Sequence, residues 1–297
     1  SFIIIFSSTI YELWIYRFFE AFFGGIVVVN AAAAVRDRFH GAEAAKVFSL
    51  IGMVRSLAPL LAPAIGAFII HFFTWEAIFI FLTLYALIVA FFVYKDLEET
   101  YTYNKQNIFE SFKLVLSHRS ALKAMLTLGF SFGCFFIIIA KTSFIYIEYF
   151  KIPTDYFPLF FGINFIVLMV MIKVNVNLLK NHDPIWLVKI ALLVQIFSGI
   201  LFILTYENIS IITIILILAS YMSMMAFIFG NCMALTLEHF PKNAGVASGV
   251  VGVLQFGLGA IISSIALSFH SETFLPIALS IYIISFLAFL IMRPNKI

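Results

Sequence analysis

VFSLIGMVRSLAPLLAPAIGAFIIH, residues Val47 to His71, is the stretch that decides the fold class. Roughly 20 apolar residues at about 1.5 Å rise each cross a bilayer core, and this run is long enough. A plain anchor would be uniformly greasy. Here Gly52, Ser56, Pro59, Ala62, Pro63 and Gly66 recur three or four residues apart, so much of one side is low and neighbouring backbones can come close. Pro59 and Pro63 each remove a backbone donor and bend the helix. Arg55 adds a permanent charge inside the span. A helix of this kind packs against others and moves.

The rest of the chain repeats the theme. Of its 297 residues, 63% are hydrophobic and 11% charged, with a mean hydropathy of +1.10. Soluble globules of this length do not have that balance, so an all-α polytopic membrane protein is expected. Complete spans are read at Leu13–Val35, Val47–His71, Trp75–Tyr94, Ala121–Ile147, Phe157–Leu179, Trp186–Tyr206, Ile209–Leu235, Ala244–Phe269 and Phe274–Met292, nine in all. Ser1–Ser8 is apolar but too short to span. It lacks the positive flank and cleavage site of a signal peptide, and Ser1 is not an initiator methionine. It reads as the tail of a helix that begins before this sequence.

The connections alternate in charge. Arg36, Arg38, Lys46, Lys95, Lys105, Lys113, Arg119, Lys123, Lys180, Lys189, Lys242, Arg293 and Lys296 fall on one side, against Arg17 and Lys151 on the other. Thirteen against two places the first set and the C-terminus in the cytoplasm. The net charge of +3 gives no sign of a nucleic-acid partner. Cys134 and Cys232 sit in separate apolar runs, and the six histidines are scattered, so neither a disulfide framework nor a metal site is indicated. No glycine-rich phosphate loop or nucleophile elbow is present, which argues against an enzyme and against a bound cofactor.

The polar segment Lys95–Ser120 divides the chain into residues 1–94, a linker at 95–120 and six spans over 121–297. Ile108, Phe112 and Val115/Leu116 fall at helical spacing, so part of the linker is either an amphipathic helix on the cytoplasmic surface or a solvated connection. The two lobes echo each other at an offset of 200 residues: Ser49, Gly52 and Arg55 lie against Gly249, Gly252 and Gln255. A same-orientation repeat of six helices is what a two-lobed secondary transporter shows. If the lobes are equivalent, about three helices are missing before Ser1.

At this point the residues resemble a family. LWIYRFFEAFFGG (Leu13–Gly25) is similar to the fourth-helix motif of drug:proton antiporters of the major facilitator superfamily: a leucine, an arginine four residues on, then usually glutamine and glycine. Leu13 and Arg17 match, while Glu20 and Ala21 stand for the glutamine and glycine. SLAPLLAPAIGA (Ser56–Ala67) resembles the fifth-helix antiporter motif, with Pro63 and Gly66 kept and Ala62 and Ala67 in place of glycines. VVVNAAAAVRDRF (Val27–Phe39), LFFGINFIVLM (Leu159–Met169) and the run Ala234–Ala260 resemble the bicyclomycin-resistance (Bcr/CflA) branch. The resemblance implies a fold of two six-helix lobes around a central cavity, exporting small amphipathic compounds in exchange for protons. It also implies an acidic proton carrier in a first helix that this sequence does not contain.

Ionisable groups deep in a span cost at least a few kcal/mol, so they normally face a cavity or a partner. Arg17 either snorkels to the outer interface or, as the motif match implies, takes a coupling role through its charge. Glu20 follows at i, i+3, within reach of Arg17, and as the titratable member of the pair it is the better proton carrier. Arg55 either snorkels to the cytoplasmic headgroups or serves coupling. Lys141, seven residues before Glu148, is read as proton-linked or anion-binding, or as half of a structural pair; 3.6 residues per turn puts Lys141 and Glu148 on one face roughly 10 Å apart. Asn30, Asn164, Asn231 and Gln255 are cavity-lining candidates, with a bond across helices as the simpler reading of each. Gly52, Pro59, Pro63, Gly66, Gly249 and Gly252 are the packing and hinge candidates.

Membrane lipid, a small-molecule substrate and protons are the expected partners, and a monomer is expected. Three functions stay open: a proton-coupled drug exporter, a carrier of the same fold for a physiological solute such as a sugar, nucleoside or amino acid derivative, and a transport-inactive membrane protein.

Overall fold

The computed structural model describes residues 1–38, 58, 61–96, 108–240, 244–269 and 273–292, and all regular structure among them is helical. They form two compact units, Ser1–Lys105 and Gln106–Ile297.

In the first unit a 3-10 turn, Phe2–Phe6, leads into α1 (Ile10–Arg38, 29 residues). Thr9-Ile-Tyr-Glu12 starts that helix in capping-box fashion: the Thr9 hydroxyl accepts from the Glu12 N–H at 3.3 Å, and Glu12 Oε2 accepts from the Ser8 N–H at 2.8 Å. Next come α2, described over Leu61–Phe72, and α3 (Glu76–Asp96). The turn between them is closed by Phe73 N–H to Ile69 O and Ala77 N–H to Thr74 O. Not one residue of α3 is buried, although Leu84, Leu87, Ile88 and Phe91 are among its side chains. Such a face suits contact with a lipid bilayer or with further helices.

The second unit holds α4 (Ile108–Ser117), α5 (Arg119–Ser143), α6 (Phe157–Leu178), α7 (Pro184–Thr205), α8 (Ile211–Ser223), α9 (Met225–Leu237), α10 (Ala244–Ser268) and α11 (Leu275–Ile291). Starts are fixed by local chemistry. His118 Nδ1 accepts from Ala121 N–H to open α5, Asp183 accepts from Ile185 N–H ahead of Pro184 in α7, and the Ser210 hydroxyl accepts from Thr213 N–H at α8. A π-helical turn, Phe144–Tyr149, prolongs α5, and Lys151 just beyond it takes a left-handed φ of 55°.

α5 is the central post, packed on α9, α10 and α11; α7 packs on α8, α9 and α11, and α6 on α8 and α9. Glycines set the closest crossings. A Cβ on Gly133 would stand 2.6 Å from Ile262 Cγ2, and one on Gly129 would stand 2.9 Å from the Leu254 carbonyl oxygen, so α5 and α10 touch nearly backbone to backbone. Gly199 of α7 meets Tyr282 of α11 in the same way, 3.0 Å from its Cα.

Among the described residues, six helical stretches are long and apolar enough to cross a bilayer: Glu76–Asp96, Arg119–Tyr149, Thr154–Leu178, Pro184–Asn208, Ile211–Leu237 and Gly245–Ser268. They coincide with six of the nine expected spans. Leu13–Val35 lies within α1, the span expected at Phe274–Met292 is a 17-residue apolar helix, and most of Val47–His71 before Leu61 lies outside the described residues. Of the two readings of the linker, its second half is a helix, but the face differs. Ser111 and Val115 are buried where α4 meets α5 and α10, while Phe112 and Leu116 stay exposed.

Candidate functional site

The first unit carries an ion pair along α1. Arg17 and Glu20 are one turn apart on α1, and their guanidinium and carboxylate meet at 2.5 Å. Two contacts tie this pair to its surroundings: Glu20 Oε1 also accepts from the Ser1 hydroxyl, and the Arg17 guanidinium lies over the Phe79 ring of α3, 5.8 Å from its centre. Glu20 is the more enclosed partner, 21% exposed against 54% for Arg17. A carboxylate held by a fixed cation in an apolar helix can release or take up one proton while the arginine keeps its charge. Asn30 lies further along α1. Pro63 and Gly66 lie in α2, and among the described residues nothing stands within 4 Å of a Cβ placed on Gly66. Gly52, Arg55 and Pro59 lie outside the described residues.

In the second unit Lys141 is partly exposed, with its ammonium 5.4 Å from the centre of the Phe144 ring. Among the described residues no carboxylate lies within ion-pair distance of it. The expected shared face of Lys141 and Glu148 assumed α-helical spacing throughout. The π-helical turn at Phe144–Tyr149 breaks that spacing, and Glu148 is exposed.

The polar side chains of this unit are turned inward. Asn231 of α9 donates its amide to Asn175 Oδ1 of α6 at 3.1 Å, with both residues buried. That is a bond across helices, the simpler of its two readings. Asn164 is fully buried and donates to the Phe160 and Phe161 carbonyls of its own helix, at 3.4 Å each. Gln255 is buried on α10; among the described residues no atom stands within 4 Å of a Cβ on Gly249 or Gly252 of the same helix.

Several contacts escape sequence reasoning. Gly129-x-x-x-Gly133 is a small-xxx-small pattern that would have marked the α5–α10 crossing. The Tyr221 hydroxyl pairs with the Ser285 hydroxyl at 2.5 Å, and the His118 and His239 rings meet 4.2 Å apart, tilted by 34°, at the end of the unit nearest α4. Neither partner announces the other along the chain.

A family model described as Major Facilitator Superfamily matches residues 1–264. The chain is 32% identical over 293 residues to a bicyclomycin resistance protein homolog of Haemophilus influenzae, an alignment covering 95% of this chain and 73% of that protein. It is 28% identical over 269 residues to the MFS-type transporter YdgK of Bacillus subtilis, covering 86% of this chain and 66% of the relative. Identity to the chloramphenicol resistance protein CraA of Acinetobacter baumannii is 29% over 203 residues, 65% of this chain and 47% of that one.

Proposed function

The chain belongs to the major facilitator superfamily, a family of transporters and not of enzymes, and from that membership we propose that it exports drugs or other small amphipathic compounds by antiport with protons. The observation that carries this reading is the 32% identity over 95% of the chain to a bicyclomycin resistance protein homolog. The Arg17–Glu20 pair supports the coupling half. It supplies one titratable group beside a fixed charge in the helix whose sequence resembles the antiporter motif. The small residues of Val47–His71 and their echo around Gly249 and Gly252 are, in this reading, the packing and hinge candidates of a two-lobed carrier. In this reading the C-terminus and the basic connections face the cytoplasm of a bacterial inner membrane.

The test is accumulation in a host stripped of its own exporters. Expression should lower the steady-state uptake of bicyclomycin or chloramphenicol, and a proton uncoupler should restore it. Unchanged accumulation of every compound in a broad antibiotic panel would overturn the exporter reading.

A further inference from the structure

α4, α5, α9 and α10 meet at one end of the second unit, where Val115, Ala121, Phe240 and Ala247 share a core. Two histidines come together beside that core. His118 stands between the end of α4 and the start of α5, and His239 lies two residues past the end of α9. Their rings are 4.2 Å apart at a tilt of 34°. The Phe240 ring stands edge-on to His118 at 5.5 Å and is itself buried. His118 is partly exposed and His239 exposed, so protons from solvent reach both rings.

His118 has a second task. Its Nδ1 accepts the Ala121 N–H at 3.3 Å and so caps α5. A backbone N–H can only donate, so this Nδ1 carries no proton. Protonating it removes the acceptor and sets a cation against the positive end of α5. His239 has the opposite setting. It follows the last turn of α9, where unpaired carbonyls favour a cation. One proton therefore goes to His239 and leaves the cap intact. A second has to go to His118, against the cap, the helix end and a neighbouring charge.

No carboxylate answers that second charge. Glu110 and Lys113 stand on α4, Arg119, Lys123 and the distant Lys141 on α5, Lys173 on α6, Lys189 on α7 and Glu238 at the end of α9, while α10 and α11 carry no charged residue. Lys242 and Arg293 lie outside the described residues. Among the described residues neither Glu110 nor Glu238 comes within ion-pair distance of either ring.

We propose that the His118–His239 contact is a pH-sensitive latch that accepts one proton but not two, and that the second proton releases α4 from α5 and α10. Release takes up a proton, so the docked state is favoured at neutral pH and lost as pH falls through the range in which imidazole titrates, from about 8 to 5. α4 follows closely on the junction of the two units at Lys105 and Gln106, so its release adds a ten-residue helix to the free connection between them. In the exporter reading this end faces the cytoplasm, where exchanged protons arrive, and the latch answers the product of the cycle. That use rests on the exporter reading; the latch itself does not.

Two spin-label pairs on the full chain in lipid nanodiscs test it without any substrate. Leu114→Cys with Leu204→Cys joins α4 to the far end of α7, and Trp186→Cys with Leu204→Cys joins the two ends of α7. All three positions are exposed, whereas Cys134 and Cys232 are buried out of reach of the label. From pH 8 to pH 5 the first pair should pass from one narrow distance to a broad distribution while the second stays unchanged. His118→Asn should keep the first pair narrow at pH 5, because asparagine caps a helix without titrating. His239→Phe keeps a ring against His118 and removes the neighbouring charge, so its release midpoint should rise by about one pH unit. A first pair that is the same at pH 8 and pH 5, or a second pair that broadens with it, would overturn the proposal. Release of His118→Asn at the parent's pH, or a midpoint of His239→Phe at or below the parent's, would overturn it as well. The parent's pH series and His239→Phe decide even if His118→Asn fails to insert. Absence of transport by the parent chain would end the exporter reading alone.

Discussion

Glu20 divides its carboxylate between the Arg17 guanidinium and the Ser1 hydroxyl, in a helix that is otherwise apolar over most of its length. If it carries the exchanged proton, Glu20→Gln should leave the protein inserted and able to bind substrate. Efflux should then lose its dependence on the pH gradient, measured as drug flux across a pH series; a pH profile superimposable on the parent's would remove Glu20 from the mechanism. Asn231 makes a different kind of prediction. Asn231→Leu leaves Asn175 Oδ1 buried without its donor, at a cost of about 1 kcal/mol, and Asn175→Leu in the same chain should restore part of that loss in a thermal melt. The Arg17–Glu20 pair is legible in the sequence because its partners are one helical turn apart. Asn175 is not, because 56 residues separate it from Asn231 and only the packing of α6 on α9 brings them together.

At the scale of helices, the apolar runs carry most of the information. Six expected spans reappear within a few residues, because length, hydropathy and capping groups such as Asp183 and Ser210 are local properties. What escapes is where a helix departs from regularity. The π-helical turn after Lys141 and the one-residue irregularity at Met224 have no proline or glycine to mark them. The linker helix illustrates the same limit: its periodicity is readable, but burial at Ser111 and Val115 depends on the surfaces that α5 and α10 present. The tight α5–α10 crossing gives the sharpest element-scale prediction. Gly133→Ala should cost about 1–3 kcal/mol through overpacking against Ile262. Gly230→Ala, with nothing within 4 Å of the added carbon, should be neutral or slightly stabilising, up to about 1 kcal/mol from helix propensity. Melting temperatures in one detergent compare them directly, and equal losses would contradict the packing described.

Over the whole molecule, the family match and the apolar surfaces agree on a multi-pass membrane transporter. Among the described residues, nothing stands within 4 Å of a Cβ added to the candidate hinge glycines Gly66, Gly249 and Gly252. If Gly66 is the hinge position that the antiporter motif implies, Gly66→Leu is expected to stop transport while leaving insertion and substrate binding intact, read as flux against equilibrium binding; normal flux would remove Gly66 from the mechanism. The central claim is proton-driven export, and inverted membrane vesicles test it most directly. With an imposed pH gradient, acid inside, chloramphenicol or bicyclomycin should enter the vesicles, and its addition should visibly accelerate collapse of the gradient in the parent chain but not in Glu20→Gln. Uptake that proceeds equally without the gradient, or a gradient that decays at the same rate with and without drug, would contradict it.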